Sequence, residues 1–336
     1  MSTYLVVRCH ARKQKLIPPE DMRRLLESKS LKELVDKLVL TEYWKKVGIL
    51  RELTAESLYN AYTEVLKERL EWFYHNASKA HKRFLREYCR KFEVENVCGI
   101  LRRKVTKTPV EVGRLVMLDF LELDYKPLIE AETVEDCLKV LSEVEMYREP
   151  SIRGLELYER YKTLLPVEAE LKKAYYEAVF EALDALSGMD RAVVGEILGA
   201  EVDVENCFTA TAPFLYGYSP ELVKGFLVRR TFQVPLANLI KAVEAGSREE
   251  ILKLLKPYRE VVEAMLDGRE EVAYALARRR LRKMIPKRMP RVFTSIAYAI
   301  MCMRLCEDEW RDLCFVTYAV ELNIPREHAA MCLICG

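Results

Sequence analysis

The sequence predicts an all-α protein built from three copies of one helical unit. First, its 336 residues include only 12 glycines and 13 prolines, whereas the helix formers Leu, Glu, Lys, Arg and Ala are abundant. Second, apolar residues recur at spacings of three and four along segments such as residues 53–92, which places them on one helical face. Third, two short patterns each appear three times, at a period of about 110 residues.

The first recurring pattern is a short helix that follows a hydroxyl residue and ends near a tyrosine. In every copy an acid stands three residues after the Ser or Thr, as in a helix whose N-cap hydroxyl accepts a backbone N–H of the first turn. The copies read SLKELVDKLVLTEY from Ser30 to Tyr43, TVEDCLKVLSEVEMY from Thr133 to Tyr147, and SREEILKLLKPY from Ser247 to Tyr258. We therefore predict a capped helix at the same place in each unit.

The second pattern closes each unit with an acid, two residues, an Asn or Asp, and an apolar run. The first acid and the Asn or Asp three residues later are Glu93 and Asn96 in the first copy, Asp203 and Asn206 in the second, and Glu309 and Asp312 in the third. Their threefold recurrence favours a structural role, such as capping or hydrogen bonding between helices, over work as a general acid and base. The two patterns divide the chain into repeats at residues 1–115, 116–220 and 221–336.

Proline-containing segments mark the connections between the predicted helices. These breaks are expected at Pro18–Pro19, Thr108–Pro109, Glu149–Pro150, Tyr218–Pro220 and Ile285–Pro290. The longest uncharged stretches are shorter than the run of about 20 apolar residues that spans a bilayer. We therefore expect no membrane span, and a chain that remains in the cytoplasm because its start lacks the apolar run of a secretory signal.

The net charge of +2 conceals a strong segregation along the chain: +10 over residues 1–115, −13 over 116–205 and +5 over 206–336. Either these thirds face different partners, or neighbouring helices offset one another. The strongest basic run holds eight Lys and Arg between residues 278 and 291, and its candidate partner-binding residues are Arg278, Arg279, Arg280 and Arg282. Such a run could meet RNA, lipid headgroups or an acidic protein, although the absence of interleaved aromatic residues disfavours RNA.

No motif in the sequence predicts an enzyme. There is no phosphate-binding loop, dinucleotide fingerprint, zinc-protease motif or nucleophile elbow, and the four histidines are scattered, so we expect no cofactor. Five of the ten cysteines cluster near the C-terminus, at Cys302, Cys306, Cys314, Cys332 and Cys335. We expect them to act as small apolar residues and to hold no metal, and leave open a disulfide among the cysteines.

The C-terminal sequence CEDEWRDLC, which begins at Cys306, is followed by VELNIPREHAAMCLI. It resembles the closing signature of the C subunit of archaeal A-type ATPases and of the related d subunit of vacuolar ATPases. Glu307, Glu309, Arg311 and Leu313 match that signature, whereas Cys306, Asp312 and Cys314 replace its Lys, Asn and Arg. The other two copies are similar to the internal repeats of the same family, so the resemblance spans nearly all of the chain.

The resemblance implies a funnel of three similar helical domains around a pseudo-threefold axis, with no active site. One end would receive the central stalk and the other would sit on the proteolipid ring at the cytoplasmic face of the membrane. The implied task is to transmit torque between ion transport and ATP synthesis or hydrolysis, without binding nucleic acid. The alternatives are a helical scaffold of another kind, or an RNA-binding protein that uses residues 278–291.

Overall fold

The structure, a computed structural model, describes residues 3–289 and 295–335. Every regular element in these two ranges is helical and none of their residues lies in a β-strand, which confirms the all-α prediction. Within the same ranges, no helix is both long enough and apolar enough to cross a membrane. Pro290 and Arg291, which end the predicted basic run, lie outside the described residues.

Eighteen α-helices are present in the described part of the chain. They are α1 (Thr3–Lys13), α2 (Pro19–Leu26), α3 (Leu31–Lys37), α4 (Trp44–Val47), α5 (Ala55–His75), α6 (Lys79–Thr106), α7 (Lys126–Glu130), α8 (Val134–Ser142), α9 (Arg148–Tyr161), α10 (Leu165–Asp184), α11 (Gly188–Tyr216), α12 (Pro220–Phe226), α13 (Leu236–Glu244), α14 (Arg248–Leu254), α15 (Arg259–Leu266), α16 (Glu270–Arg288), α17 (Ile296–Glu321) and α18 (Arg326–Cys332). Short 3₁₀ helices span Val112–Arg114, Glu145–Tyr147 and Lys256–Tyr258.

The three predicted N-caps are present, each with a hydroxyl that accepts the backbone N–H three residues on. The oxygen–nitrogen distances are 3.2 Å for Ser30 and Glu33, 3.1 Å for Thr133 and Asp136, and 3.3 Å for Ser247 and Glu250. The tyrosines that end the three patterns are at most 1% exposed. Each helix therefore starts at a satisfied cap and ends against a buried ring.

Three of the predicted proline breaks are confirmed, because α2 begins after Pro18, α6 ends before Pro109 and α12 begins at Pro220. The prediction is wrong at Pro150, which lies in the first turn of α9, where a backbone N–H has no intrahelical acceptor and proline is tolerated. Within the predicted break at Ile285–Pro290, α16 ends at Arg288, although Pro286 itself still lies inside the helix. Pro286 lies in the last turn, where its missing N–H removes one hydrogen bond near the end of the helix.

One compact unit comprises Met1–Lys79, Ala192–Ile197 and Tyr258–Gly336. Within it α17 packs along α5 and also contacts α1, α2 and α3. Of the 26 residues of α17, 22 are buried, so this helix is enclosed on nearly every side. Four of the buried residues are carboxylates, which must be paired or hydrogen bonded to be tolerated there.

The second compact unit comprises Ala80–Arg191 and Leu198–Pro257. Its α9 packs against both α8 and α10, while α7 lies on α8 and α12 contacts α10 and α13. The long helices α6 and α11 contribute the buried polar residues of the first two closing patterns. The division into repeats at residues 1–115, 116–220 and 221–336 stays a prediction.

Candidate functional site

The six polar residues of the closing patterns are all buried. Their exposed fractions are 0% for Glu93, 6% for Asn96, 0% for Asp203 and 1% each for Asn206, Glu309 and Asp312. Each belongs to a long helix, α6, α11 or α17, whose apolar residues surround it. Their hydrogen-bond partners therefore decide what they do.

The amides of the first two copies make the same pair of bonds. Asn96 donates from Nδ2 to the carbonyl of Val116 at 3.1 Å, and its Oδ1 accepts the N–H of the same residue at 3.0 Å. Asn206 does this with Val228, at 2.8 and 2.9 Å. A carboxamide carries both donors and an acceptor, so one side chain bonds the N–H and the carbonyl of a single backbone residue. Each amide thereby holds the segment that returns after its helix.

Asp312 holds the returning segment of the third copy by a different chemistry. Its two oxygens accept the backbone N–H groups of Ile334 and Cys335, both at 2.7 Å. A carboxylate accepts at both oxygens, so Asp312 binds the N–H groups of two successive residues, whereas each amide binds the N–H and the carbonyl of one residue. Burial raises the pKa of Asp312 to about 6, although these two bonds oppose the rise.

The acids of the first and third copies accept a tyrosine hydroxyl and an arginine. Glu93 accepts from the hydroxyl of Tyr147 at 2.9 Å and from Arg90 at 3.1 Å. Burial raises the pKa of Glu93, against the opposing effect of Arg90. Its partner Tyr147 ends the first pattern of the next copy, so this bond joins two copies of the repeat.

Glu309 makes the corresponding bonds in the other unit. It accepts from the hydroxyl of Tyr43 at 2.8 Å, from Arg69 at 2.7 Å and from the backbone N–H of Ile17. Arg69 also reaches Glu42 at 3.2 Å. Burial lowers the pKa of Arg69, but the surrounding acidic groups raise it by more, so the guanidinium stays charged. The last copy of the closing pattern is thus bonded to the first copy of the opening pattern.

Asp203 departs from this arrangement. Its shorter side chain accepts three successive backbone N–H groups, from Phe232 at 3.0 Å, Gln233 at 2.6 Å and Val234 at 3.3 Å. These three bonds brace the loop that precedes α13. All three acids of the closing patterns are therefore held by donors of the chain itself.

Arg278, the first of the candidate partner-binding residues, lies inside the fold. It is 7% exposed and its Nε donates to Asp308 at 2.8 Å, while Nη1 lies 2.8 Å from Glu307 and 3.1 Å from the hydroxyl of Tyr274. Burial lowers the pKa of Arg278, but Glu307, Tyr274 and Asp308 together raise it well above its ordinary value. It therefore neutralises two buried carboxylates of α17.

The other three candidate arginines also contact the chain. Arg279 donates to the carbonyls of Ala330, Met331 and Leu333 at 3.0, 2.8 and 2.5 Å, which satisfies the end of α18. Arg280 lies over the ring of Tyr258, 4.6 Å from its centroid, and Arg282 lies 3.8 Å from Asp308. Arg279, Arg280 and Arg282 are each partly exposed. Their role at a partner surface stays a prediction.

Sequence reasoning missed the arginines and acids that complete these clusters, above all Arg69, Glu42 and Asp308. The three consecutive acids at residues 307–309, inside a mostly apolar helical run, were a signal that buried counter-charges had to exist. Their positions could not be predicted, because Arg69 is 240 residues from Glu309 in sequence.

The polar residues of the closing patterns hold segments of the fold together. Each signature carboxylate is nearly inaccessible and is occupied by donors of the chain, which leaves little room for a substrate. A cavity of about 410 Å³ in the second unit, lined by side chains that include Arg153, Glu170 and Phe226, contains none of the signature residues.

The cysteines are free thiols, and nine of the ten are buried. Burial raises the pKa of Cys98 to about 12 and of Cys306 to about 11. Across residues 3–289 and 295–335, no group of three or more His, Cys, Asp and Glu is placed to hold a metal ion. The thiols thus serve as apolar packing groups in this structure.

Comparison with known proteins gives a consistent result. A family model described as ATP synthase (C/AC39) subunit matches residues 5–330. The C subunit of the A-type ATP synthase of Pyrococcus abyssi is 26% identical over 333 residues, which cover 97% of this chain and 88% of that protein. The C subunit of the same enzyme is 24% identical in Methanocaldococcus jannaschii, covering 80% of this chain and 68% of the relative, and 23% identical in Archaeoglobus fulgidus, covering 80% and 77%.

Proposed function

The chain belongs to the ATP synthase (C/AC39) subunit family, and from that premise we propose that it links the central stalk of an A- or V-type rotary ATPase to the proteolipid ring. In this role it transmits torque between ion transport and ATP synthesis or hydrolysis, and it has no active site of its own. It works as a peripheral protein at the cytoplasmic face of the membrane.

The observation that carries this proposal is the length of the family match, over residues 5–330. A match confined to one repeat would be compatible with a shared helical module, whereas this one spans all three copies of both patterns. The relatives named as C subunits of A-type ATP synthases are also covered over most of their length. The non-catalytic role is supported by the signature carboxylates, which are buried and used as hydrogen-bond acceptors.

We further propose that the three repeats are arranged around a pseudo-threefold axis. Two contacts support this: Glu93 of the first copy bonds Tyr147 of the second, and Glu309 of the third bonds Tyr43 of the first. A chain of repeats in which the last copy bonds the first is what a closed arrangement requires. The caps recur with the same geometry in all three copies and the closing amides in the first two, which also favours equivalent units.

The alternatives, a different helical scaffold or an RNA-binding protein, have less support. RNA binding would use the basic run at residues 278–291, but Arg278 is buried against two carboxylates and Arg279 is bonded to three carbonyls. The charge of Arg278 is already neutralised in the fold and the donors of Arg279 are occupied, so these two residues contribute little to phosphate binding.

The test is co-purification of the tagged chain with the rotary ATPase of its own cell, across a salt series. We expect stoichiometric recovery of the central-stalk subunits and the proteolipid ring at low salt, with loss of one partner before the other as salt rises. An unrelated helical protein with the same tag is the control. A folded chain that recovers neither partner at any salt concentration would contradict the proposal.

A further inference from the structure

The segment between α3 and α5 exposes large apolar side chains to solvent. Leu40 is 99% exposed, Ile49 77%, Val39 44% and Trp44 39%. Isolated exposed apolar residues are ordinary, but four within residues 39–49 are not. We call residues 39–51 the 39–51 segment. It includes α4 and the turns on either side of that helix.

Buried anchor residues and turn hydrogen bonds hold this segment with its apolar residues outward. Leu38, Tyr43 and Val47 are at most 2% exposed and anchor it to the core. Consecutive turn bonds link it, including those from Thr41 N–H to the Leu38 carbonyl at 2.9 Å and from Gly48 N–H to the Trp44 carbonyl at 2.9 Å. The exposed apolar residues alternate with these anchors, so they are presented as a preformed surface that a partner meets without ordering a loop.

The repeat itself does not require this exposure. Counted back from the terminal tyrosine of each pattern, Leu40 corresponds to Leu255 in the third copy, which is fully buried, and to the partly buried Val144 in the second. After the tyrosine, the second and third copies continue with Arg and Glu, whereas the first continues with Trp44 and two lysines. The apolar surface is therefore a property of one copy, suited to a contact made once.

The charges of the segment indicate the chemistry of the partner. Glu42 is already paired with Arg69 and Lys15, and Lys46 is paired with Glu68 at 2.6 Å. Lys45 and Arg51 are exposed and form no ion pair within the described residues. The neighbouring Glu52 is also exposed and forms no ion pair within the described residues, so the free charges sum to +1. This net positive charge complements carboxylates on the opposite surface.

We propose that the 39–51 segment docks a partner subunit of the rotary complex that presents an apolar pocket flanked by Asp or Glu side chains. The inference rests on the proposed function, because it assigns a contact within that assembly. Two free cations are fewer than the four to eight Lys and Arg that typify binding to anionic lipid, so the observations favour a protein over a membrane surface. Trp44 beside two aliphatic residues is also typical of the centre of a protein interface.

The experiment uses the rotary ATPase purified from a strain that lacks this subunit, immobilised, with the full-length chain added back. Leu40→Ser with Ile49→Ser should weaken binding about tenfold or more, because two buried apolar side chains are lost from the contact. Leu322→Ser, at another residue that is 66% exposed in the same unit, should bind like the wild type. Lys45→Glu with Arg51→Glu should weaken binding most at low salt.

Matched melting temperatures confirm that each variant folds, as the exposure of these residues predicts. A photoreactive residue at position 40 should cross-link to a peptide that carries apolar and acidic side chains. Equal binding of all variants by the depleted complex overturns the docking proposal alone, whereas failure of the wild type to bind overturns the proposed function. If the chain binds anionic phospholipid vesicles and Leu40→Ser with Ile49→Ser abolishes this binding, the surface is a lipid contact. If the chain dimerises and the same substitutions prevent dimerisation, the surface contacts a second copy. Either result overturns the docking proposal.

Discussion

At the scale of single residues, Arg278 determines whether α17 can keep its charges buried. Its guanidinium lies 2.8 Å from Glu307 and 2.6 Å from Asp308, and both acids are at most 1% exposed. Replacing it by Met retains the apolar stem but leaves the carboxylates short of one cation. Breaking a buried ion pair costs about 3–5 kcal/mol. We expect Arg278→Met to lower the unfolding free energy by about 3 kcal/mol, because Arg311 still lies 3.0 Å from Glu307.

Urea denaturation at pH 7 measures this loss, with Lys283→Met as the matched control. Lys283 is on the same helix and is exposed, so its replacement should change stability by less than about 0.5 kcal/mol. If the two variants unfold alike, the buried pairing described for Arg278 is wrong.

Asp312 makes the stability of the fold depend on pH in a predictable direction. Its pKa is about 6 in the folded chain, above the ordinary value of 3.8, so the folded protein binds this proton more tightly than the unfolded chain does. The stabilisation is therefore complete below about pH 3.8 and is lost as pH rises through 6. Asp312→Asn abolishes this titration. Relative to wild type, the variant should gain about 2 kcal/mol between about pH 4.5 and 7.

Chemical denaturation at several pH values gives this difference. The substitution also replaces one acceptor of a backbone N–H by a donor, but that cost is constant with pH and cancels from the comparison. Asp36→Asn, at an exposed position, serves as the control for the replacement of one aspartate by asparagine. A relative stability that is flat with pH would contradict the proposed titration of Asp312.

At the scale of elements, the hydroxyls of Tyr43 and Tyr147 tie the opening pattern of one copy to the closing acid of another. Each donates to a buried carboxylate, at 2.8 Å to Glu309 and 2.9 Å to Glu93. Hydrogen bonds to charged groups contribute about 1.5–3 kcal/mol, so Tyr43→Phe and Tyr147→Phe should each lower the unfolding free energy by about that amount. Similar losses in the two variants would support their equivalence.

Tyr218→Phe is the control for these variants, since Tyr218 is partly exposed and its ring contact with Tyr161 survives the loss of the hydroxyl. Its change should remain within about 0.5 kcal/mol. The stabilising role of the two hydroxyls is refuted if both variants are as stable as this control, and their equivalence is refuted if only one of them loses stability.

The elements also indicate which structural features a sequence reveals. The caps at Ser30, Thr133 and Ser247 were predictable because a cap involves only one helical turn. Proline gave mixed guidance: Pro220 starts a helix, whereas Pro286 lies within one, and the outcome depends on where in the helix it falls. The break between α5 and α6 follows Asn76, whose Nδ2 donates to the Trp72 carbonyl at 2.8 Å, and it was not predicted because apolar periodicity continues across it.

At the scale of the whole molecule, recurrence was the most informative property of the sequence. It identified the six closing residues, and all six are buried and hydrogen bonded. Recurrence could not give their partners, since Glu93 and Glu309 bind tyrosines whereas Asp203 binds backbone N–H groups. Partners that are brought together by tertiary packing leave no local pattern. For the same reason the buried Arg278 could not be told from the other arginines of the basic run.

The ten cysteines provide a test of burial throughout the chain, because they lie in both compact units. Nine are buried and only Cys332 is partly exposed, so native protein treated with a thiol reagent at pH 8 should label one thiol quickly. Burial raises the pKa of Cys332, so its labelling is slower than that of a fully exposed thiol. After unfolding without reductant, all ten should react. A deficit of two would reveal the disulfide that the sequence leaves open, whereas several fast thiols in the native protein would contradict the packing around α17.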